Sequence, residues 1–267
     1  MFHQAKKSMG QNFLKSAEAL RKMCEAGEVN DKDIIVEIGP GKGALTEKLL
    51  EKAKKVVAVE KDRDLIDILS QKFVEEIKNG KFLLLNDNIL YFEPSKYDLK
   101  EGEYKIIANI PYNITGAIIK RFLSEVTKPS IMTLLVQKEV AERIVARDNK
   151  ESILSLSVKA YGTPKYIMKV HKRFFSPAPK VDSAIISINN ISNSYLKDKN
   201  KEDSFFRIIK TAFAHKRKVL RKNLEEIEKD SIRIDEMMEK LDINPKARAE
   251  NIKFNKWIDI NNYLNTK

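Results

Sequence analysis

Cysteine is almost absent from this chain of 267 residues, occurring once, at position 24. That excludes a disulfide framework and nearly excludes a Cys-based metal site, so no metal is expected and a reducing cytoplasm is the expected compartment. Histidine is scarce too, at positions 3, 171 and 215, and none of the three falls among the motifs described below. Long apolar runs are missing. No stretch approaches the roughly 20 residues of a membrane-spanning helix, so no membrane partner is expected. Positions 1–8 carry charge without an apolar centre, which does not fit a secretory signal. Acidic residues are the scarcer charge, 38 against 50 Lys and Arg, leaving a formal charge of +12. This excess favours a polyanion, most simply nucleic acid, although a lysine-rich proteome would give the same sum.

A hydrophobic fraction of 42% is enough for an ordinary core, and the length suits one large domain with a smaller appendage. From residue 34 to about 190, short apolar runs alternate with helical periods. Strands are expected at 34–38, 56–59, 82–85, 105–108 and 132–136, with helices at 44–52, 62–78, 115–125 and 138–146 and a further periodic segment near 153–161. This alternation predicts a parallel sheet covered by helices on both faces. Two later runs, 166–170 and 184–188, are too close for a parallel crossover and are expected to form an antiparallel edge pair. The expected division is an α/β domain over 1–190 (with 1–30 as an amino-terminal arm and helix), a polar linker over 191–201, and a helical domain over 202–267.

The chemistry concentrates at the predicted strand ends. Glu37-Ile38-Gly39-Pro40-Gly41-Lys42-Gly43 joins the first strand to its helix, where glycines allow a tight turn and bring a ligand against backbone amides. Glu60 ends the second strand, placed to accept ribose hydroxyls, and Asp87 ends the third, placed to meet an adenine. Asn109-Ile110-Pro111-Tyr112 ends the fourth. There an amide, a rigid turn and an aromatic ring meet at the sheet edge where open α/β folds bind ligands. The Asn109 side chain and a backbone carbonyl can accept hydrogen bonds from an exocyclic amino group, while Tyr112 stacks on its base. Such a site alkylates the amino group of a base. The glycine spacing departs from the Gly-x-Gly-x-x-Gly of dinucleotide folds, and the methyl donor S-adenosylmethionine is the expected cofactor.

With these motifs in place, the sequence resembles the ribosomal small-subunit adenine dimethyltransferases of the KsgA type. The matching segments are Gly10-Gln11-Asn12-Phe13-Leu14, residues 37–46, residues 109–114, Gln137 to Arg143, and Phe175-Ser176-Pro177-Ala178-Pro179-Lys180-Val181-Asp182-Ser183-Ala184. Segments 213–224 and 248–250 also resemble the family, so the likeness covers essentially the whole chain. It implies a Rossmann-like, seven-stranded class I methyltransferase domain with a small helical carboxyl-terminal domain. It implies transfer of two methyls to each of two adjacent adenosines near the 3′ end of small-subunit rRNA. Carried over, Gln11, Asn12 and Leu14 line the cofactor site, Gly39 and Gly41 pass beneath the cofactor, Glu60 holds its ribose, and Asp87 with Asn88 holds its adenine. Asn88 stands where the family usually has a small or apolar residue. Asn109 bridges cofactor and target, Pro111 shapes the turn, and Tyr112 and Phe175 flank the flipped base.

Lys216, Arg217, Lys218, Arg221 and Lys222 form the densest basic cluster. On the expected helix, 217, 218, 221 and 222 share a face that could track RNA phosphates. Lys6 and Lys7 with Gln11 are read as a basic arm that orders on binding. Cys24 and His215 are read as structural, and Trp257 as the anchor of the helical core. The expected partner is small-subunit rRNA, bare or in a pre-assembled subunit, met by a monomer. Two rivals share the motifs: a large-subunit adenine methyltransferase of the macrolide-resistance (Erm) type, and a non-catalytic RNA-binding factor for assembly or transcription.

Overall fold

In the computed structural model, which describes residues 5–6, 9–196 and 198–266, the apolar runs become buried strands. The strands are β1 (Phe13–Leu14), β2 (Ile34–Ile38), β3 (Lys55–Glu60), β4 (Phe82–Asn86), β5 (Tyr104–Asn109), β6 (Ile131–Gln137), β7 (Thr163–Val170), β8 (Phe175–Ser176) and β9 (Ser183–Asn189). Seven of them form one sheet in the order β4-β3-β2-β5-β6-β9-β7. The first five in that order pair in parallel, and β9 joins both β6 and β7 antiparallel. The expected antiparallel pair is present, with β9 inserted between β6 and β7. Ile35, Val57, Ile106, Ile107 and Leu134 are fully buried, which is why these runs read as continuously apolar.

Strand order reverses at β2, which has β3 on one side and β5 on the other. Loops leaving the carboxyl ends of β2 and β5 therefore part to opposite sides and open a crevice between them. Helices α1 (Ala17–Ala26), α2 (Ala44–Lys52), α3 (Arg63–Lys72), α4 (Val74–Lys78) and α5 (Thr115–Ser124) connect this sheet, and α6 (Lys138–Val145) follows β6. The helix expected over 62–78 is broken at Phe73, whose backbone leaves the helical region at φ −116°. The break lets the Phe73 ring pack edge-on against Phe82, with centroids 5.3 Å apart.

The chain divides into two units, one of residues 1–141 and 163–192, the other of 142–162 and 193–267. The sequence division near 190 does not contain the excursion over 142–162. Its helix α7 (Ile153–Lys159) packs within the second unit with α8 (Lys199–Ala212). Polar contacts invisible to periodicity hold it there. Tyr161 donates to Glu202 at 2.5 Å and stacks on Phe206, and the Glu151 amide donates to the Glu250 carbonyl at 2.7 Å. Helix α8 starts inside the expected linker because Asp198 caps it, accepting from the Lys201 amide at 2.9 Å. The unit is completed by α9 (Leu220–Leu224), α10 (Ser231–Lys240) and α11 (Phe254–Asn265). Trp257 is fully buried and donates to the Ile252 carbonyl at 3.0 Å, anchoring that core. Among the described residues, no helix is long and apolar enough to cross a membrane.

Candidate active site

The crevice at the carboxyl ends of β2, β3, β4 and β5 is a cavity of about 550 Å³. Gln11, Asn12, Leu14, Gly39, Gly41, Glu60, Asp87, Asn88, Asn109, Pro111 and Tyr112 all line it, so residues spread over a hundred positions converge as the motifs require. The glycine loop turns with Gly39, Gly41 and Gly43 at positive φ, between 61° and 78°. Their reasons differ. A Cβ on Gly39 would meet nothing within 4 Å, whereas on Gly41 it would stand 2.9 Å from the Phe13 ring and on Gly43 2.6 Å from the Phe73 ring. Gly39 thus leaves its backbone open, while the other two admit a packed aromatic.

Glu60 is 7% exposed, and its two carboxylate oxygens accept the amides of Asp62 at 2.8 Å and Gly41 at 3.3 Å. Burial pushes its carboxyl above the ordinary range, against the pull of those amides. Asp87, exposed at the end of β4, accepts its neighbour Asn88's amide at 2.6 Å. Asn88 in turn caps the following 3-10 turn through Leu90.

At the end of β5, Asn109 Nδ2 donates to the Asn12 carbonyl at 3.0 Å. With its amide nitrogen engaged, the side chain's remaining acceptor is Oδ1. Tyr112 follows Pro111 in a 3-10 turn, half-buried, with its hydroxyl 2.6 Å from Ser183 Oγ. Burial raises the Tyr112 pKa, so the ring is a neutral, tethered face. Among the described residues, no histidine lines the cavity.

Comparison with known proteins gives this geometry a context. A model of the family described as ribosomal RNA adenine dimethylase matches residues 2–266. The chain belongs to that family. Ribosomal RNA small subunit methyltransferase A of Fusobacterium nucleatum is 40% identical, with 96% of each chain covered. The protein of the same name from Nostoc is 37% identical, with 97% of each covered. Among solved structures, a dimethyladenosine transferase from Plasmodium falciparum superposes with a TM-score of 0.79 at 25% identity, covering 93% of this chain and 95% of its own. The 23S rRNA methyltransferase ErmE superposes with a TM-score of 0.81 over 96% of this chain and 100% of its own; at 23% identity it shows the class I methyltransferase fold alone.

As a member of the dimethylase family, the enzyme methylates rRNA with S-adenosylmethionine, and the cavity fits that donor. Gly39 leaves open the space a Cβ would fill. Glu60 keeps lone pairs for hydroxyl donors beyond the backbone amides it accepts.

Two expectations for the dimethylase change. Phe175 does not line the cavity. It is 4% exposed and packs in the core, where β8 pairs Phe175 with Leu14 of β1. The ring exposed at this turn is its neighbour Phe174, with the Arg173 guanidinium 5.1 Å from its centroid. The pattern Phe-Phe-Ser-Pro offers two adjacent rings, and backbone pairing decides which one turns inward.

The basic cluster is also split. Lys216, Arg217 and Lys218 are exposed but lie in a turn between α8 and α9. That turn exists because buried Asn223 donates to the Ala212 carbonyl at 2.6 Å and the His215 carbonyl at 3.3 Å, closing the end of α8. Arg221 and Lys222 are on α9 but engaged: Arg221 with Asp235 at 2.6 Å and Glu225 at 2.7 Å, Lys222 with Glu225 at 2.6 Å. His215 sits 3.2 Å from Glu226, and Cys24 is buried. His3 and Lys7 lie outside the described residues.

Two residues that sequence reading assigned no role belong to the site region. Glu37 is 1% exposed, lines the cavity and accepts from Thr46 Oγ1 at 2.7 Å; burial pushes its carboxyl up to about 8. Asp62 is likewise buried, two residues beyond Glu60. The signals were an acid inside the first motif and an Asp at a helix start.

Proposed function

We propose that this enzyme dimethylates the N6 amino groups of two adjacent adenosines near the 3′ end of small-subunit rRNA during ribosome biogenesis. We further read it as a cytoplasmic monomer acting on a partly assembled subunit. Support for the small subunit comes from the names of the nearly full-length relatives, at 40% and 37% identity. ErmE, named for 23S rRNA, shares less sequence at 23%.

One contact carries the chemistry: Asn109 Nδ2 is committed to the Asn12 carbonyl, leaving Oδ1 to receive a proton donor. An adenine amino group is a weak nucleophile because its lone pair is delocalised into the ring. Hydrogen bonds from its two N–H groups to Asn109 Oδ1 and the Ile110 carbonyl favour a more tetrahedral nitrogen with a localised pair. S-adenosylmethionine, when bound, supplies a methyl group on a positively charged sulfonium. The residues then need mainly to align the amino nitrogen, which accounts for most of the rate. Glu60, Asp87 and Asn88 hold the nucleoside end of the donor, Gly39 and Gly41 give it backbone clearance, and Gln11, Asn12 and Leu14 cover it.

No general base is required, since the alkylated nitrogen loses its proton to water. Unstacking the target base costs a few kcal/mol, offset by an aromatic face inside the pocket. Tyr112, tethered by Ser183, supplies that face. Phe175 would add a second face only by leaving the core that holds it.

The test offers undermethylated small and large ribosomal subunits side by side with labelled S-adenosylmethionine, followed by nucleoside analysis. Label as dimethyladenosine in the small subunit alone is the expected result, with Asn109→Ala reducing it by about a hundredfold or more. Label in the large subunit would move the enzyme to the 23S type. Tight subunit binding without label in either would mean the fold serves binding alone.

A further inference from the structure

The buried carboxylate of Asp62 has a function that the cofactor and target contacts leave unexplained. It is 1% exposed, and an unpaired carboxylate so buried would cost several kcal/mol. Its Oδ1 accepts from Lys6 Nζ at 2.6 Å and from the Asp64 amide at 3.2 Å, capping α3. Its Oδ2 accepts from Gln11 Nε2 at 2.8 Å. Gln11 closes the loop by accepting the Lys6 amide through Oε1 at 2.7 Å. A cap alone needs one oxygen at the surface; here two side chains of the amino-terminal arm, more than fifty residues away in sequence, converge on it.

The arm so held is the one that touches Asn109. Gln11 is bonded directly to Asn12, whose carbonyl receives Asn109 Nδ2 at 3.0 Å. The Asn12 side chain donates back to the Gly10 carbonyl at 3.1 Å, and Gly10 turns at φ +67°, so the peptide is fixed from both sides. At its other end, the Asp62 amide donates to Glu60 Oε1 at 2.8 Å.

We infer that Asp62 is a positioning residue for methyl transfer: through Gln11 it holds the arm in the register that points the Asn12 carbonyl at Asn109, and so presents Asn109 Oδ1 to the target amino group. The same residue joins the carboxylate assigned to the donor's ribose to the amide assigned to the target. The arm is thus a part of the target site, built on the cofactor side of the crevice. This rests on the methyl-transfer reading of Asn109.

The experiment compares wild type with Gln11→Ala, Asp62→Asn and Asp62→Ala. It measures kcat at saturating S-adenosylmethionine, affinity for S-adenosylhomocysteine by calorimetry, and hydrogen exchange over residues 9–14. A loosened arm misplaces Asn109 as well as uncovering the donor, so Gln11→Ala should lower kcat about tenfold even at saturating S-adenosylmethionine. S-adenosylhomocysteine affinity should fall as well, since Gln11 lines the donor site, and exchange over 9–14 should accelerate. Asp62→Asn, whose single oxygen keeps the helix cap while its Nδ2 faces the Gln11 donor, should hold the fold yet lower kcat much as Gln11→Ala does. An unchanged kcat, a loss confined to S-adenosylhomocysteine affinity, or a kcat loss without faster exchange overturns the inference. If Asp62→Ala fails to fold, Gln11→Ala and Asp62→Asn decide alone. A wild-type enzyme silent on small subunits would overturn the target reading instead, and the same variants would be judged on whichever rRNA it labels.

Discussion

Alanine at Gly39 and at Gly43 should injure the enzyme in different ways, although both glycines sit in one loop at positive φ, 62° and 78°. Each substitution places a Cβ on left-handed backbone, costing about 1–2 kcal/mol of stability. At Gly43 the new methyl also stands 2.6 Å from the Phe73 ring and 3.0 Å from Leu69. Those side chains are buried between α3 and the sheet, so displacing them adds about 1–3 kcal/mol. At roughly 2–4 °C per kcal/mol, Gly39→Ala should lower the melting temperature by about 4 °C and Gly43→Ala by about 10 °C. Ligand binding should reverse the ranking. The Gly39 methyl meets no protein atom within 4 Å and projects into the space assigned to the donor. S-adenosylhomocysteine affinity should therefore fall at least tenfold in Gly39→Ala, about 1.4 kcal/mol, and stay near wild type in Gly43→Ala. Scanning fluorimetry and calorimetry on the two purified variants settle it. Equal melting temperatures, or undiminished ligand affinity in Gly39→Ala, would refute the division of labour among the loop glycines.

Phe175→Ala should behave as a core deletion, costing about 3–5 kcal/mol in denaturant unfolding, because its ring is 4% exposed beside Leu14. A stable variant that had lost only methyl transfer would restore its direct role at the target base. Glu37 should make stability fall with alkalinity. Its folded carboxyl titrates near 8 against an ordinary 4.5, so its contribution is full below 4.5 and is lost as the pH rises through 8. Glu37→Gln, which keeps an acceptor for Thr46, should melt progressively higher relative to wild type between pH 5 and pH 8.5, and a constant gap would show that Glu37 does not titrate there. Neutralising Lys216, Arg217 and Lys218 should weaken RNA binding and flatten its salt dependence, by about 0.7 per lost contact on a log–log plot. Lys222→Ala, which removes a partner of Glu225, should change the slope far less; equal slopes for both variants would argue against the turn as the phosphate contact.

The parallel sheet was legible because β2, β3, β5 and β6 are buried on both faces, so their runs are continuously apolar. The site was legible because open sheets bind at carboxyl ends, and Glu60, Asp87 and Asn109 each close or follow a strand. What stayed hidden depends on partners distant in sequence. Arg221 looks like a free cation until Asp235 is brought against it by α10. Asp62 looks like a helix cap until Lys6 and Gln11 reach it from the arm. Phe73 fits the period of a single long helix, yet packing against Phe82 breaks that helix. Adjacent Phe174 and Phe175 cannot be told apart without the strand pairing that turns one inward.

The interleaved connectivity has a practical corollary for anyone dissecting the gene. The sheet-bearing unit is interrupted between residues 141 and 163, and the interrupting segment belongs with residues that follow 193. Truncating the chain at 192 would therefore amputate most of the helical unit yet leave a stub of it behind. In that stub Tyr161 would lose both Glu202 and Phe206, Glu151 would lose its Glu250 backbone partner, and α7 would lose its packing against α8. Such a fragment should be sticky and prone to precipitate whatever the health of its catalytic half. A clean excision requires two scissions and a short bridge replacing 142–162, and it is that doubly edited chain, not a tail deletion, that would test whether the helical unit takes part in RNA binding.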